Sequence, residues 1–190
     1  GNRDALYKLT DMVEFDEGCF ETETDKATRT SLKRGRGSER QVNDAVMAES
    51  TPLEEITTGR KSNHCRYFKM RVLESYLKDE INQVIKDNIA EKTIVFSDKS
   101  TSYVDISEFV EVHITEKSSE ETTMTTLRWV HIAISNAKRT LLGIYHKVKG
   151  KYLQLYLDEF CYKLNRRYFG ERLFDRLIIA VSNNYWYKNG

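Results

Sequence analysis

Two apolar runs that each end in a carboxylate constrain this chain more than any other feature. The first run is Met12-Val-Glu-Phe-Asp-Glu17 and the second is Thr93-Ile-Val-Phe-Ser-Asp98. Short apolar runs rich in β-branched and aromatic residues predict buried strands. If the fold places these strands side by side, Asp16 and Asp98 meet, and paired carboxylates suit Mg²⁺ or Mn²⁺. The alternative is that each aspartate is an ordinary turn residue.

Length and composition indicate one soluble domain. The chain has 190 residues, of which 39% are hydrophobic and 31% are charged, which is enough to bury a real core. No apolar run reaches the roughly 18 residues of a membrane span, and the start carries no signal segment, so we expect a cytoplasmic protein without a membrane partner. The three cysteines form no Cys-x-x-Cys, which argues against a zinc ribbon. The initial Gly1 indicates a fragment.

Hydrophobic periodicity predicts an α/β domain with one mixed central sheet flanked by helices. An amphipathic helix is predicted over 74–88, and residues 65–73 are either a strand or the approach to that helix. The remaining predicted strands cover 11–20, 41–49, 54–60, 93–97 and 109–114, and the remaining predicted helices cover 124–142 and 149–168.

The segment Trp129-Val-His-Ile-Ala-Ile-Ser-Asn-Ala-Lys-Arg139 predicts a helix with one polar and one apolar face. Seven residues advance a helix by about 700°, close to two turns, so His131 and Lys138 share a face. Another face carries Leu127, Val130, Ile134 and Leu141. The polar stripe either lines a cleft or is a solvated surface that happens to contain a histidine.

Charge is distributed unevenly along the chain. Residues 1–137 hold 19 basic and 25 acidic side chains, whereas residues 138–190 hold 11 basic and 4 acidic ones. A basic region interleaved with aromatic residues suits a polyanion such as DNA, and the alternative is a solvated helix face. The region includes Lys147, Lys149, Lys151, Lys163, Arg166, Arg167, Arg172 and Arg176.

Several segments between Leu9 and Trp186 together carry a family resemblance. They are Val13–Glu17, Lys33-Arg-Gly-Arg-Gly37, Ile94–Asp98, Trp129–Arg139, Leu142–His146, Tyr156–Phe160 and Leu164–Arg167. In these segments the chain resembles bacterial insertion-sequence transposases of the DDE class, in the ISXO-like group. The resemblance implies an RNase H-like catalytic domain over 1–190, without the N-terminal DNA-recognition region of the family.

The resemblance also implies an activity and its partners. Such transposases cut and rejoin DNA at the ends of their element with two Mg²⁺ or Mn²⁺ ions, and they work as homo-oligomers on paired ends. Two rival interpretations remain open. One is a simple RNase H-like nuclease without strand transfer, and the other is a catalytically decayed DNA-binding remnant.

Matched to the family motif, Asp16 and Asp98 fall on the two catalytic aspartates and Lys138 on the basic residue after the third acid. His131 occupies the position of that third acid, so the implied metal ligands are Asp16, Asp98 and His131. The implied DNA-binding residues are Lys33, Arg34, Arg36, Lys138, Arg139, Lys147, Arg166, Arg167 and Arg172.

A histidine at the third position is a departure from the family pattern. Neutral imidazole can bind a divalent metal, but it removes one negative charge from the site. Glu14 or Glu17 is a candidate to compensate for this loss, and Asn165 is a weaker candidate for the third ligand. Asp44 interrupts an otherwise apolar strand, which is awkward for a buried face and is one mark of a damaged copy.

Overall fold

A computed structural model describes residues 4, 6–23, 41–50, 65–74, 78–99, 105–117, 119 and 125–182. These residues form one five-stranded sheet and four α-helices. The strands are β1 (Leu9–Glu21), β2 (Gln41–Glu49), β3 (Tyr67–Leu73), β4 (Ile89–Asp98) and β5 (Val112–Glu116). The helices are α1 (Lys78–Asn88), α2 (Arg128–Thr140), α3 (Leu153–Asn165) and α4 (Arg172–Ser182).

The sheet has the mixed strand order β3-β2-β1-β4-β5. β1, β2 and β3 pair antiparallel, whereas β4 pairs parallel with both β1 and β5. β3 and β4 lie on opposite sides of β1, so the chain must cross over the sheet between them. Helix α1 lies in this crossover connection. The arrangement confirms the predicted α/β class with an RNase H-like sheet.

Alternation along β1 separates two hydrophobic cores. Val13 and Phe15 are fully buried and pack with Ile81 and Ile85 of α1. The other face of the sheet packs against α2 and α3, through residues such as Val46, Phe68, Val130, Ala133, Ala137 and Leu157. Because side chains alternate, Glu14 and Asp16 face α2, and that face carries the candidate site.

Helix α3 covers the open edge of β3. Gln154 Oε1 accepts the Val72 N–H at 2.8 Å, and Asn165 Oδ1 accepts the Phe68 N–H at 2.7 Å. Asn165 Nδ2 also donates to the Phe68 carbonyl at 2.9 Å. An edge strand otherwise exposes a row of unpaired backbone groups, and these two side-chain amides satisfy some of them on β3. Asn165 is therefore engaged with β3, two strands away from Asp16, and its candidacy as third ligand is wrong.

Most predicted elements are present, with shifted ends. Residues 65–73 resolve to a strand, and the strand predicted over 109–114 begins later, because a 3-10 turn at Ile106–Glu108 precedes it. The α-helical part of the segment predicted over 149–168 is shorter than predicted, because 3-10 turns flank α3 at both ends. At its C-terminal end, α2 continues into a π-helical turn at Leu141–Tyr145. The strand predicted over 54–60 lies outside the described residues, and α4 was not predicted. None of the described helices is both long enough and apolar enough to span a membrane.

Candidate active site

Asp16 and Asp98 lie at adjacent positions on neighbouring strands. β1 and β4 are parallel, and the last pair of their register joins Phe15 to Ser97, so the next residue on each strand is an aspartate. Burial raises the pKa of Asp16 to about 6, and the negative charges of Asp98 and Glu17 add to the rise. The two strands are therefore adjacent, which is the condition under which Asp16 and Asp98 meet.

His131 reaches the same place from α2. Its Nε2 lies 3.5 Å from Asp16 Oδ2, and its side chain is 36% exposed while that of Asp16 is 16% exposed. This contact opposes the raised pKa of Asp16, as does the Glu17 backbone N–H, which donates to Asp16 Oδ1 at 2.8 Å. The structure therefore brings Asp16 together with both Asp98 and His131, at a point that is partly exposed to solvent.

Glu14 holds the start of α2. Its Oε2 accepts the backbone N–H groups of Trp129 at 2.6 Å and Val130 at 3.1 Å, and the residue is only 4% exposed. Burial raises the pKa of Glu14 to about 8, against the effect of these two donors and of Arg128. The N-cap residue of α2, Leu127, makes no side-chain hydrogen bond to the helix. Glu14 thus anchors α2 and is not a spare carboxylate for the site.

This role was not predicted, although a signal was present. Glu14 lies two residues before Asp16, so both point to the face that carries α2. The segment before α2 offers Leu127 where helices prefer Ser, Thr, Asp or Asn. Glu17, the other candidate for charge compensation, alternates to the opposite face of β1.

Lys138 lies two helix turns beyond His131 on the same face of α2. Seven residues of helix rise about 10 Å from His131 to Lys138, which equals about three residues of strand, so α2 carries Lys138 past Gly18 towards Phe20. Its Nζ lies 6.0 Å from the centre of the Phe20 ring, and the side chain is exposed. The shared helix face of His131 and Lys138 is confirmed as one that borders the sheet.

Asp44 is a buried carboxylic acid near the candidate site. It is fully buried on β2, opposite Gly18, which places it on the same face of the sheet as Asp16. Burial raises the pKa of Asp44 to about 7, Lys138 lowers it, and Asp16 adds to the rise. In the sequence Asp44 looked anomalous because an apolar residue was expected on the buried face of this strand, whereas the structure places it beside the candidate site.

The donor chemistry fits a divalent metal, although the ligands are not closed around one. Among the residues that the structure describes, no group of three His, Cys, Asp or Glu side chains is close enough to hold an ion as arranged. Asp98 nevertheless raises the pKa of Asp16, which is the repulsion that a cation between them relieves. Carboxylate oxygens with one imidazole nitrogen suit Mg²⁺ and, better, Mn²⁺.

The predicted DNA-binding residues fall into three groups. Arg139, Lys147 and Arg172 are exposed. Arg166 is instead committed to Asp4, with bonds of 2.7 and 2.8 Å, and Arg167 donates to the backbone carbonyls of Leu164 and Cys65. Lys33, Arg34 and Arg36 lie outside the described residues.

The buried carboxyls predict how stability depends on pH. The folded-state pKa of Asp44 is about 7, above the usual value of about 4. A carboxyl group whose pKa is higher in the folded state than in the unfolded state stabilises the folded state at a pH below the unfolded-state pKa. This stabilisation is lost as the pH rises through the folded-state pKa. With a metal chelator present, we expect the free energy of unfolding to fall as the pH rises from about 4 to about 7. Asp44→Asn should make that fall smaller, which urea denaturation at each pH measures. Asp79→Asn, on exposed α1 surface, is the control, and an unchanged profile in Asp44→Asn would contradict the expectation.

Comparison with known protein families adds one match. Residues 8–165 match the sequence model of the ISXO2-like transposase domain. A comparison with curated proteins finds no match. The matched region contains Asp16, Asp98, His131 and Lys138 and ends at the last residue of α3, so α4 lies beyond it.

Proposed function

Because the chain belongs to the ISXO2-like transposase domain family, we propose that it is the catalytic core of a metal-dependent DNA transposase that cleaves element ends and transfers the strands. The observation that carries this proposal is the 3.5 Å contact between His131 and Asp16, beside Asp98 on the adjacent strand. An imidazole and a carboxylate are in contact there, a second carboxylate follows on the adjacent strand, and the His131 side chain is 36% exposed.

Asp16, Asp98 and His131 would hold the divalent ions. When bound, Mg²⁺ or Mn²⁺ supplies an activated nucleophile and stabilises the leaving oxygen of the phosphodiester. The protein would contribute ligands from anchored elements, since Glu14 anchors the helix turn that carries His131. The imidazole serves in its neutral form, because only that form offers a nitrogen lone pair.

Lys138 would contact the phosphate next to the scissile bond. Its side chain is exposed and lies on the same helix face as His131, about 10 Å further along α2. A lysine is a compact point charge, which suits one phosphate oxygen without demanding a planar partner. Arg139, Lys147 and Arg172 would add backbone contacts, on a homo-oligomer that pairs two element ends.

Calorimetry with Mn²⁺ separates this proposal from a decayed DNA-binding remnant. We expect saturable binding to the wild-type domain and its loss in Asp98→Asn, because one carboxylate of the pair is removed. Asp79→Asn is the matched control, since it changes the same functional group on the exposed surface of α1. No saturable heat with the wild-type protein would reject the metal-dependent proposal.

A second assay separates a transposase from a simple nuclease. Duplexes that carry the terminal sequence of the element are incubated with a supercoiled target plasmid and Mn²⁺. Strand transfer joins the duplex to the plasmid, whereas a nuclease releases cut ends only. Cutting without joined products would favour the nuclease interpretation.

The salt dependence of DNA binding tests which arginines face DNA. Arg172→Gln is expected to reduce the slope of log affinity against log salt by about one, because each neutralised phosphate contact releases about one counterion. Arg166→Gln should leave the slope unchanged and lower stability, because Arg166 is bonded to Asp4. Equal slope changes in both variants would assign Arg166 to DNA binding as well.

A further inference from the structure

A pocket of about 400 Å³ opens beside Lys138, outside the residues of the proposed metal site. It lies between the end of β1, the end of α2 and the segment that follows α2. The volume falls within the range of small-ligand sites, which are mostly apolar with a few polar groups. We call it the Lys138 pocket, and its lining includes Phe20, Lys138, Leu141, Leu142, His146 and Val148.

The inner part of the Lys138 pocket is apolar and fixed by the fold. Phe20 is 3% exposed, Leu141 7% and Val148 5%. The Glu23 backbone N–H donates to the Val148 carbonyl at 2.7 Å, which ties the segment after α2 to the end of β1. A preformed apolar wall of this kind suits a flat ring that gains free energy by leaving water.

The rim of the pocket carries two exposed side chains from the turn that follows α2. Leu142 is 69% exposed, and His146 is exposed directly after the π-helical turn, with a φ of 56°. His146 Nδ1 donates to the Leu142 carbonyl at 3.0 Å, which fixes the imidazole relative to the turn. A positive φ is unfavourable for a residue other than glycine, and both such strain and π-helical turns concentrate at functional sites. The rim therefore has the features of a ligand site.

Lys138 joins this pocket to the proposed phosphate contact. It lines the pocket, and its Nζ lies 6.0 Å from the centre of the Phe20 ring. In a nucleic acid one sugar separates each phosphate from its base, so a pocket that borders a phosphate-binding lysine lies within reach of a base of the same strand. A duplex is too wide to enter this space, whereas a single base that has left the stack can enter.

We propose that the Lys138 pocket binds one unstacked nucleobase of the element end, next to the phosphate that Lys138 contacts. This inference rests on the proposed function, which assigns that phosphate contact to Lys138. The buried wall receives the ring, and Leu142 and His146 pack against it at the rim, a contact that any base can make with its π-face. Gln41, which also lines the pocket, offers a donor and an acceptor to the edge of the base.

Fluorescence of 2-aminopurine tests whether a base leaves the stack. The probe is a duplex carrying the terminal sequence of the element, with 2-aminopurine at one position near the end at a time. It is titrated with the wild-type protein in chelator, so that no strand is cut. Stacking in a duplex quenches this fluorophore, so we expect its emission to rise at one position and to stay unchanged at the others.

Leu142→Ala and Ile144→Ala form a matched pair of variants. Both side chains are exposed on the same π-helical turn, at 69% and 61%, and Leu142 lines the pocket whereas Ile144 does not. Leu142→Ala is expected to weaken binding of the end duplex by about fivefold or more, the loss of one weak base-stacking contact, and Ile144→Ala to leave it unchanged. His146→Ala should resemble Leu142→Ala, and thermal unfolding of each variant monitors folding.

An abasic duplex then assigns the loss to a base. The nucleotide that 2-aminopurine identifies is replaced by one without a base, and wild type and Leu142→Ala should bind this duplex equally. A loss in Leu142→Ala that persists on the abasic duplex, or an equal loss in Ile144→Ala, would overturn the inference.

The outcomes separate this inference from the function on which it rests. If the wild-type domain cleaves end duplexes but 2-aminopurine emission is unchanged at every position, the base-binding role is overturned and the proposed function stands. If the domain neither binds nor cleaves end duplexes, the proposed function fails and the inference fails with it.

Discussion

His131→Ala is expected to reduce DNA cleavage by at least about a hundredfold, since losing even an outer partner of a metal ligand costs about 10- to 100-fold. The free energy of unfolding should change by no more than about 0.5 kcal/mol, because the side chain is partly exposed and alanine is a good helix former. Cleavage of end duplexes in Mn²⁺, together with urea denaturation, measures both quantities.

Two further variants sharpen this test. Ser135→Ala is the matched control, because Ser135 is exposed one turn further along the same helix face. His131→Glu restores the all-carboxylate pattern and is expected to retain activity and to shift its preference from Mn²⁺ towards Mg²⁺, since carboxylate is the harder ligand. Wild-type cleavage by His131→Ala would show that this helix face is only a solvated surface.

Glu14→Ala is expected to lower the free energy of unfolding by about 2–4 kcal/mol, because it leaves two backbone N–H groups at the start of α2 without their acceptor. Cleavage should fall with it, since the unanchored turn also carries His131. Urea denaturation measures the loss, and an unchanged m-value would confirm that the comparison is between similar unfolding transitions.

Glu14→Gln separates anchoring from charge. The amide keeps one oxygen that can accept both N–H groups, so we expect most of the stability and cleavage to be retained. Glu91→Ala, an exposed glutamate on β4, is the control for removing a strand carboxylate. If Glu14→Gln loses as much cleavage as Glu14→Ala at equal stability, the charge of Glu14 would act in the site and the anchoring account would be wrong.

The elements and their faces followed from local patterns. Alternation along a strand over residues 11–20 puts Val13 and Phe15 on one face and Asp16 on the other, and in the structure Val13 and Phe15 are buried while Asp16 contacts His131 of α2. Helical spacing likewise predicted the apolar face of α2 and the shared face of His131 and Lys138. These predictions succeed because the periods of strand and helix are properties of the backbone alone. The family motif then indicated which polar residues on those faces are candidates for the site.

Contacts between distant segments were beyond any local pattern. Glu14 and Trp129 are 115 positions apart, and the Arg166 ion pair with Asp4 spans 162 positions. Only folding could show that one glutamate anchors a helix and that one arginine of a basic run is engaged internally. Asp44 is the clearest case, since its strand position looked like an error until β1 placed a glycine opposite it. Periodicity decides which way a side chain points, whereas its partner depends on which strand or helix the chain later brings alongside.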